Sequence, residues 1–171
     1  AAAVVLRSDC YVRGVADSKV LTPAERERAF ARVCRTAVSY HVAVVPPAEI
    51  DRINILRASL AAMRQAILAL EPQPAFVLVD GHLPVPDLTI PQRPVVGGDR
   101  RSTVIAAASI LAKVTRDRLM CELHARDPRY GFDRHKGYCT PEHLAAVSRH
   151  GYSDAHRRSF RPPTLFDRMA D

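Results

Sequence analysis

The first six residues, AAAVVL, form an unbroken run of small and β-branched apolar positions, the pattern of a strand buried on both faces. Polar residues then break the run. Thr22, Pro23 and Glu25 fit the N-cap, N1 and N3 positions of a capping box, which predicts a helix reaching about Val38. Residues 38–45 (VSYHVAVV) form a second strand candidate, closed by Pro46 and Pro47. Next, Leu56, Leu60, Met63, Ile67 and Leu70 follow one another at steps of four, three, four and three, which predicts an amphipathic helix over 54–70 with that stripe facing a core. Residues 76–79 (FVLV) form another wholly apolar strand that stops at Asp80 and Gly81. A proline-rich loop over 84–94 leads to Val95 and Val96, and a helix follows over about 102–124. Within it, Ala106, Ala107, Ala108 and Ser109 are small enough to let the helix approach a neighbour closely. Strands alternating with helices indicate an α/β fold.

The character of the chain changes after Asp127. Arg129, Arg134, Lys136, Arg149, Arg157, Arg158 and Arg161 accumulate there beside His135, His143, His150 and His156, opposed up to Arg161 by only Asp127, Asp133, Glu142 and Asp154. Thr140 and Pro141 look like a cap and first turn for a helix through about Arg149. These features divide the chain into a layered region over 1–126 and a helical appendage with a basic face over 127–171.

The 171 residues can bury one substantial core, and 25 Lys and Arg against 18 Asp and Glu leave a formal charge of +7. That surplus favours a polyanionic partner. Cys10, Cys34, Cys121 and Cys139 show neither zinc spacing nor a dense disulfide pattern, so free thiols in a reducing cytoplasm are expected. The apolar runs fall far short of the ~20 residues of a membrane span.

Two carboxylates stand out. Asp80 ends an apolar strand, where open α/β sheets place their ligands, although an Asp closing a turn on its own backbone fits the same pattern. Asp99 follows Gly97 and Gly98 and precedes a helix, where it can act as a cap or dipole partner. Brought together, the two would offer the hard oxygen ligands that Mg²⁺ prefers. Two-metal phosphodiester cleavage needs more carboxylates than two. The segment YGFDRHKGYCTPEHL (130–144) interleaves aromatics with His135 and Lys136, which suits phosphate and base contacts as well as a solvated loop over core aromatics. HGYSDAHRRSF (150–160) is similarly ambiguous, and its histidines lack zinc spacing.

Taken in order, ADSKVL (16–21), DRINILRASLAAM (51–63), VLVDG (77–81), GGDRRSTVIAAASILAKVTRD (97–117), YGFDRHKGY (130–138) and HGYSDAHRRSF (150–160) closely resemble bacterial ribonuclease HII, the type 2 ribonuclease H. The resemblance implies a ribonuclease H-like mixed sheet flanked by helices, with a C-terminal helical substrate-binding segment. It implies an endonuclease dependent on Mg²⁺ or Mn²⁺ that cuts the RNA strand of RNA–DNA hybrids and also cuts at single ribonucleotides embedded in duplex DNA, leaving a 3′-hydroxyl and a 5′-phosphate. Of the family's four metal-binding carboxylates, Asp80 corresponds to the third and Asp99 to the fourth. Asp117 is expected to pair on a helix surface instead.

Lys19 is expected near substrate phosphate, and Tyr138 is expected to stack on the deoxyribose beside the ribonucleotide, with a buried, hydrogen-bonded tyrosine as the alternative. Lys136 and Arg157 are the candidate phosphate contacts of the basic segment. Gly97 and Val20 stand where the family usually carries lysines. The family's first strand carries an Asp-Glu pair and a Gly-Arg-Gly loop; no counterpart occurs in these 171 residues, so two carboxylates are expected to be absent from them. A competing expectation is a catalytically inactive remnant that still binds nucleic acid, and a third is another nuclease of this fold, such as a junction resolvase. A cytoplasmic monomer is expected.

Overall fold

The computed structural model describes residues 1–7 and 21–160, so Lys19 and Val20 lie outside the described residues. Two compact units form. One comprises Ala1–Val44 and Ser59–Thr115, as far as these are described; the other comprises Val45–Ala58 and the described residues from Arg116 onward.

In the first unit, β1 (Ala2–Leu6) pairs antiparallel with β2 (Ala37–Val42), matching Ala2 to Val42 and Val4 to Tyr40, with an irregularity between Val5 and Leu6. Between them in sequence lies α1 (Pro23–Thr36), which starts where expected because its capping box forms. The Thr22 hydroxyl accepts the Glu25 N–H at 3.3 Å, and the Glu25 carboxylate accepts the Thr22 N–H at 2.8 Å. β1 is not buried on both faces as expected: Ala3 and Val4 are buried, whereas its other residues are only half-buried. Outward residues Val38 and Tyr40 of β2 are exposed, the alternation of an antiparallel pair covered on one side.

β3 (Val77–Asp80) pairs in parallel with β4 (Gln92–Val95). Its apolar sequence also predicted burial on both faces. Instead the period-two pleat buries Val77 and Val79 and exposes Leu78 and Asp80. β4 begins inside the expected loop, and Val96 lies beyond it and is exposed. Among the described residues β4 is paired on one side only, where Pro94 is tolerated. The Gln92 side chain pins the proline-rich loop by accepting the Val85 N–H at 2.7 Å and donating to the Val85 carbonyl at 2.8 Å.

Two helices follow β4: α4 (Gly98–Arg101) and α5 (Thr103–Arg126). Ala106, Ala107, Ile110, Leu111 and Val114 of α5 share one cluster with Val4 and with Ala29 and Val33 of α1, so Ala106 and Ala107 of the small-residue stretch lie in the core.

Two helices occupy the region after β2. Pro46 and Pro47 were expected only to end a strand, but Pro47 also occupies N1 of α2 (Pro47–Ile53), where its fixed φ suits a helix start. Asn54, at φ 70°, ends α2, and its side chain accepts the Arg57 N–H at 3.0 Å as α3 (Ile55–Leu68) begins. The buried positions here are Ala58, Ala62, Ala66, Ile67 and Leu70, whereas Leu56 is exposed. Alanines at four-residue steps thus occupy a face expected to carry leucines.

In the second unit a 3₁₀ turn (Pro128–Tyr130), α6 (Phe132–His135) and α7 (Pro141–His150) surround a cluster of Tyr130, Phe132 and Val147. Thr140 caps α7 as expected, accepting the His143 N–H at 3.3 Å. Among the described residues, no helix is long and apolar enough to cross a membrane. The fold is α/β, with one antiparallel and one parallel strand pair among the described residues and flanking helices.

Candidate active site and nucleic-acid surface

Asp80 is the last residue of β3, and the ladder continues one bond beyond it, where the Gly81 N–H donates to the Val95 carbonyl at 3.0 Å. This fixes the exposed carboxylate at the strand's carboxyl end. Further along the chain, Gly97 adopts a left-handed backbone at φ 62° and turns the chain into α4, so that the N–H of Gly98, eighteen residues after Asp80, donates to Asp80 Oδ1 at 2.9 Å. Gly98 leaves room for that approach: a Cβ there would lie 2.5 Å from Ile105 Cδ1 and 3.2 Å from Asp80 Oδ1, so both neighbours would have to shift. Asp99 follows in the first turn of α4 and is 7% exposed. It is not the N-cap, a position held by Gly97; its place near the helix N-terminus still suits a carboxylate. The two sequence-predicted carboxylates therefore sit on one local framework in which Asp80 binds the backbone directly before Asp99. Among the described residues, no group of three or more His, Cys, Asp or Glu side chains is arranged to hold a metal ion.

The second unit carries the remaining candidates. Tyr130 and Phe132 are core aromatics, 2% and 3% exposed, but Tyr138 is 56% exposed. The buried-tyrosine alternative for Tyr138 is thereby overturned. The Arg116 guanidinium lies 4.5 Å from the centre of the Tyr138 ring, a cation–π contact that orients the aromatic face. Lys136, in a left-handed backbone at φ 50°, donates to Cys121 Sγ at 3.0 Å and to the Asp133 carbonyl. Arg157 is half-buried, its guanidinium 4.9 Å from the Phe160 ring.

Three histidines beneath this surface form a network that periodicity and motif spacing did not reveal. His143 Nδ1 lies 2.9 Å from the Tyr138 carbonyl and must donate to it. Its Nε2 then accepts a hydrogen bond from the His156 Nε2–H at 3.1 Å, which leaves His156 Nδ1 to accept the Ser153 N–H, also at 3.1 Å. His135 stacks on His143 with ring centres 4.4 Å apart. Burial, followed by the charge of His143, pushes His156 down to about 4; burial likewise lowers His143. All the hydrogen bonds are satisfied when both rings are neutral.

Residues 1–162 match the family model described as Ribonuclease HII. The chain belongs to the ribonuclease HII family. Ribonuclease HII of Geobacillus thermodenitrificans is 54% identical over 162 residues, which cover 95% of this chain and 62% of that protein. The corresponding enzyme of Nocardia farcinica is 51% identical over 94% of this chain and 64% of its own length. The chain thus spans less than two thirds of these relatives. Two solved structures share the fold, each at 24% identity and covering 90% of this chain: ribonuclease H2 from Pyrococcus horikoshii, with TM-score 0.70 over 79% of that chain, and the PCNA:RNase HII complex from Archaeoglobus fulgidus, with TM-score 0.66 over 83%. In this chain VLVDG forms β3 and its turn, and GGDRRSTVIAAASILAKVTRD forms α4 and the first part of α5.

Proposed function

We propose that this chain forms the part of a ribonuclease HII that cleaves the RNA strand of RNA–DNA hybrids, and that also cuts at single ribonucleotides embedded in duplex DNA. The observation that carries the reading is the 2.9 Å hydrogen bond from Gly98 to Asp80, which joins the two carboxylate-bearing motifs at the end of a parallel strand. Family membership supports the reaction class. Asp80 and Asp99 offer the hard, anionic oxygen donors that fit Mg²⁺ or Mn²⁺, and they would hold such an ion. When bound, the metal supplies an activated water and neutralises charge developing on the phosphate. Asp80 accepts the Gly98 N–H through Oδ1 and keeps its second oxygen clear of that bond.

In the same reading the region from residue 127 onward binds the duplex, with Lys136 and Arg157 on phosphates and the exposed face of Tyr138 against a sugar. Lys19 joins them as a phosphate contact. The test is cleavage of a duplex containing one ribonucleotide by protein carrying the family's N-terminal strand, with and without divalent metal. Metal-dependent cutting at the ribonucleotide is expected; cutting only at branched DNA junctions would replace this reading with that of a resolvase.

A further inference from the structure

Asp51 opens the DRINILRASLAAM motif, and Ser159 lies near the end of HGYSDAHRRSF, yet one carboxylate joins them across 107 and 108 residues of sequence. Asp51 Oδ2 accepts the Arg158 N–H at 2.8 Å, while Oδ1 accepts the Ser159 N–H at 3.0 Å and the Ser159 hydroxyl at 2.5 Å. Three donors from two consecutive residues fix the backbone just past Arg157. On the other side of Arg157, His156 is held by Ser153 and His143. Arg157 therefore lies between two anchored residues, with its guanidinium against the Phe160 ring. The carboxylate of Asp51 is engaged with backbone and hydroxyl, so it shapes the loop without forming a hydrogen-bonded pair with the Arg157 guanidinium.

We infer that Asp51 is a positioning residue: by anchoring Arg158 and Ser159 it presents the guanidinium of Arg157 to a phosphate of the bound duplex. The inference rests on the proposed role of Arg157. The hydroxyl of Ser159 and the two backbone donors hold the Asp51 carboxyl below its ordinary range.

The sign of one substitution separates positioning from charge. Removing a negative charge beside a DNA-binding face strengthens binding if only the overall field matters. Asp51→Asn is isosteric but turns an amide toward backbone donors, so positioning predicts about tenfold weaker hybrid binding. The salt slope should fall by about one, as for Arg157→Ala. The effect should vanish in the Arg157→Ala background, a non-additivity that a general loss of stability would not produce. Ser159→Ala, which removes only the hydroxyl, should weaken binding in the same direction and stands in if Asp51→Asn fails to fold. Unchanged or tighter binding by Asp51→Asn, or losses additive with Arg157→Ala, would overturn the inference. If the wild-type protein binds no hybrid, the functional reading fails on its own. Relaxation of the Arg157 side-chain N–H by NMR then decides the positioning role: faster motion in Asp51→Asn supports it, and unchanged motion refutes it.

Discussion

One oxygen of Asp80 is engaged by the Gly98 N–H, and the residue after that glycine is Asp99. If these side chains hold the catalytic ion, Asp80→Asn and Asp99→Asn should each lower cleavage by about a hundredfold or more, because one hard anionic ligand is lost. Hybrid binding should stay within a few-fold. Single-turnover cleavage and filter binding on one substrate separate the two effects, and a fully active Asp80→Asn would remove Asp80 from the metal. For Tyr138, loss of the ring in Tyr138→Ala should weaken hybrid binding by about 1–3 kcal/mol, while Tyr138→Phe retains it. Equal binding by Tyr138→Ala would show that the exposed ring touches no nucleic acid. Asp80 was legible in the sequence because an apolar run ending in Asp-Gly marks a strand end. Asp51, Arg116 and the histidine network were not, because their partners lie on distant elements that local patterns do not bring together.

Among the elements, the head of α4 depends on a residue with no side chain. Gly98→Ala would press a methyl group against Ile105 Cδ1 and Asp80 Oδ1. It should cost about 1–3 kcal/mol of stability and lower cleavage further by displacing Asp80, measurable by denaturant melts beside turnover. Around α7, His143 and His156 both titrate below their ordinary 6.5 in the folded protein, His156 at about 4. The unfolded chain therefore binds protons first as pH falls. Their contribution to stability is complete above about 6.5 and is lost on the way down to about 4. Melting temperatures across that range should fall in the wild type and fall less in His156→Gln; parallel curves would remove His156 from the acid transition. The helices with caps, α1 and α7, were readable because hydroxyl, proline and carboxylate spacing encodes their starts. α2 was missed because its opening prolines equally mark the end of a strand. The one-sided burial of β1 and β3 was missed because an apolar strand sequence does not reveal how many neighbours cover it.

At the scale of the whole molecule, 25 basic against 18 acidic side chains and a basic region beyond residue 127 predict duplex binding dominated by phosphate contacts. Affinity for a hybrid should therefore fall steeply between about 50 and 200 mM salt; a flat profile would reduce the basic face to a solvated surface. The family and the α/β fold were legible because six motifs occur in order, whereas two-metal cleavage in general needs more carboxylates than the two that the motifs marked, Asp80 and Asp99. The most direct measurement compares residues 1–171 with the same chain extended by the family's Asp-Glu strand, each with Mg²⁺, Mn²⁺ or chelator, on a DNA duplex bearing one ribonucleotide. The account predicts metal-dependent incision at the ribonucleotide by the extended protein, abolished by Asp80→Asn, and little or none by residues 1–171. No incision by the extended protein, or equal incision by both, would contradict it.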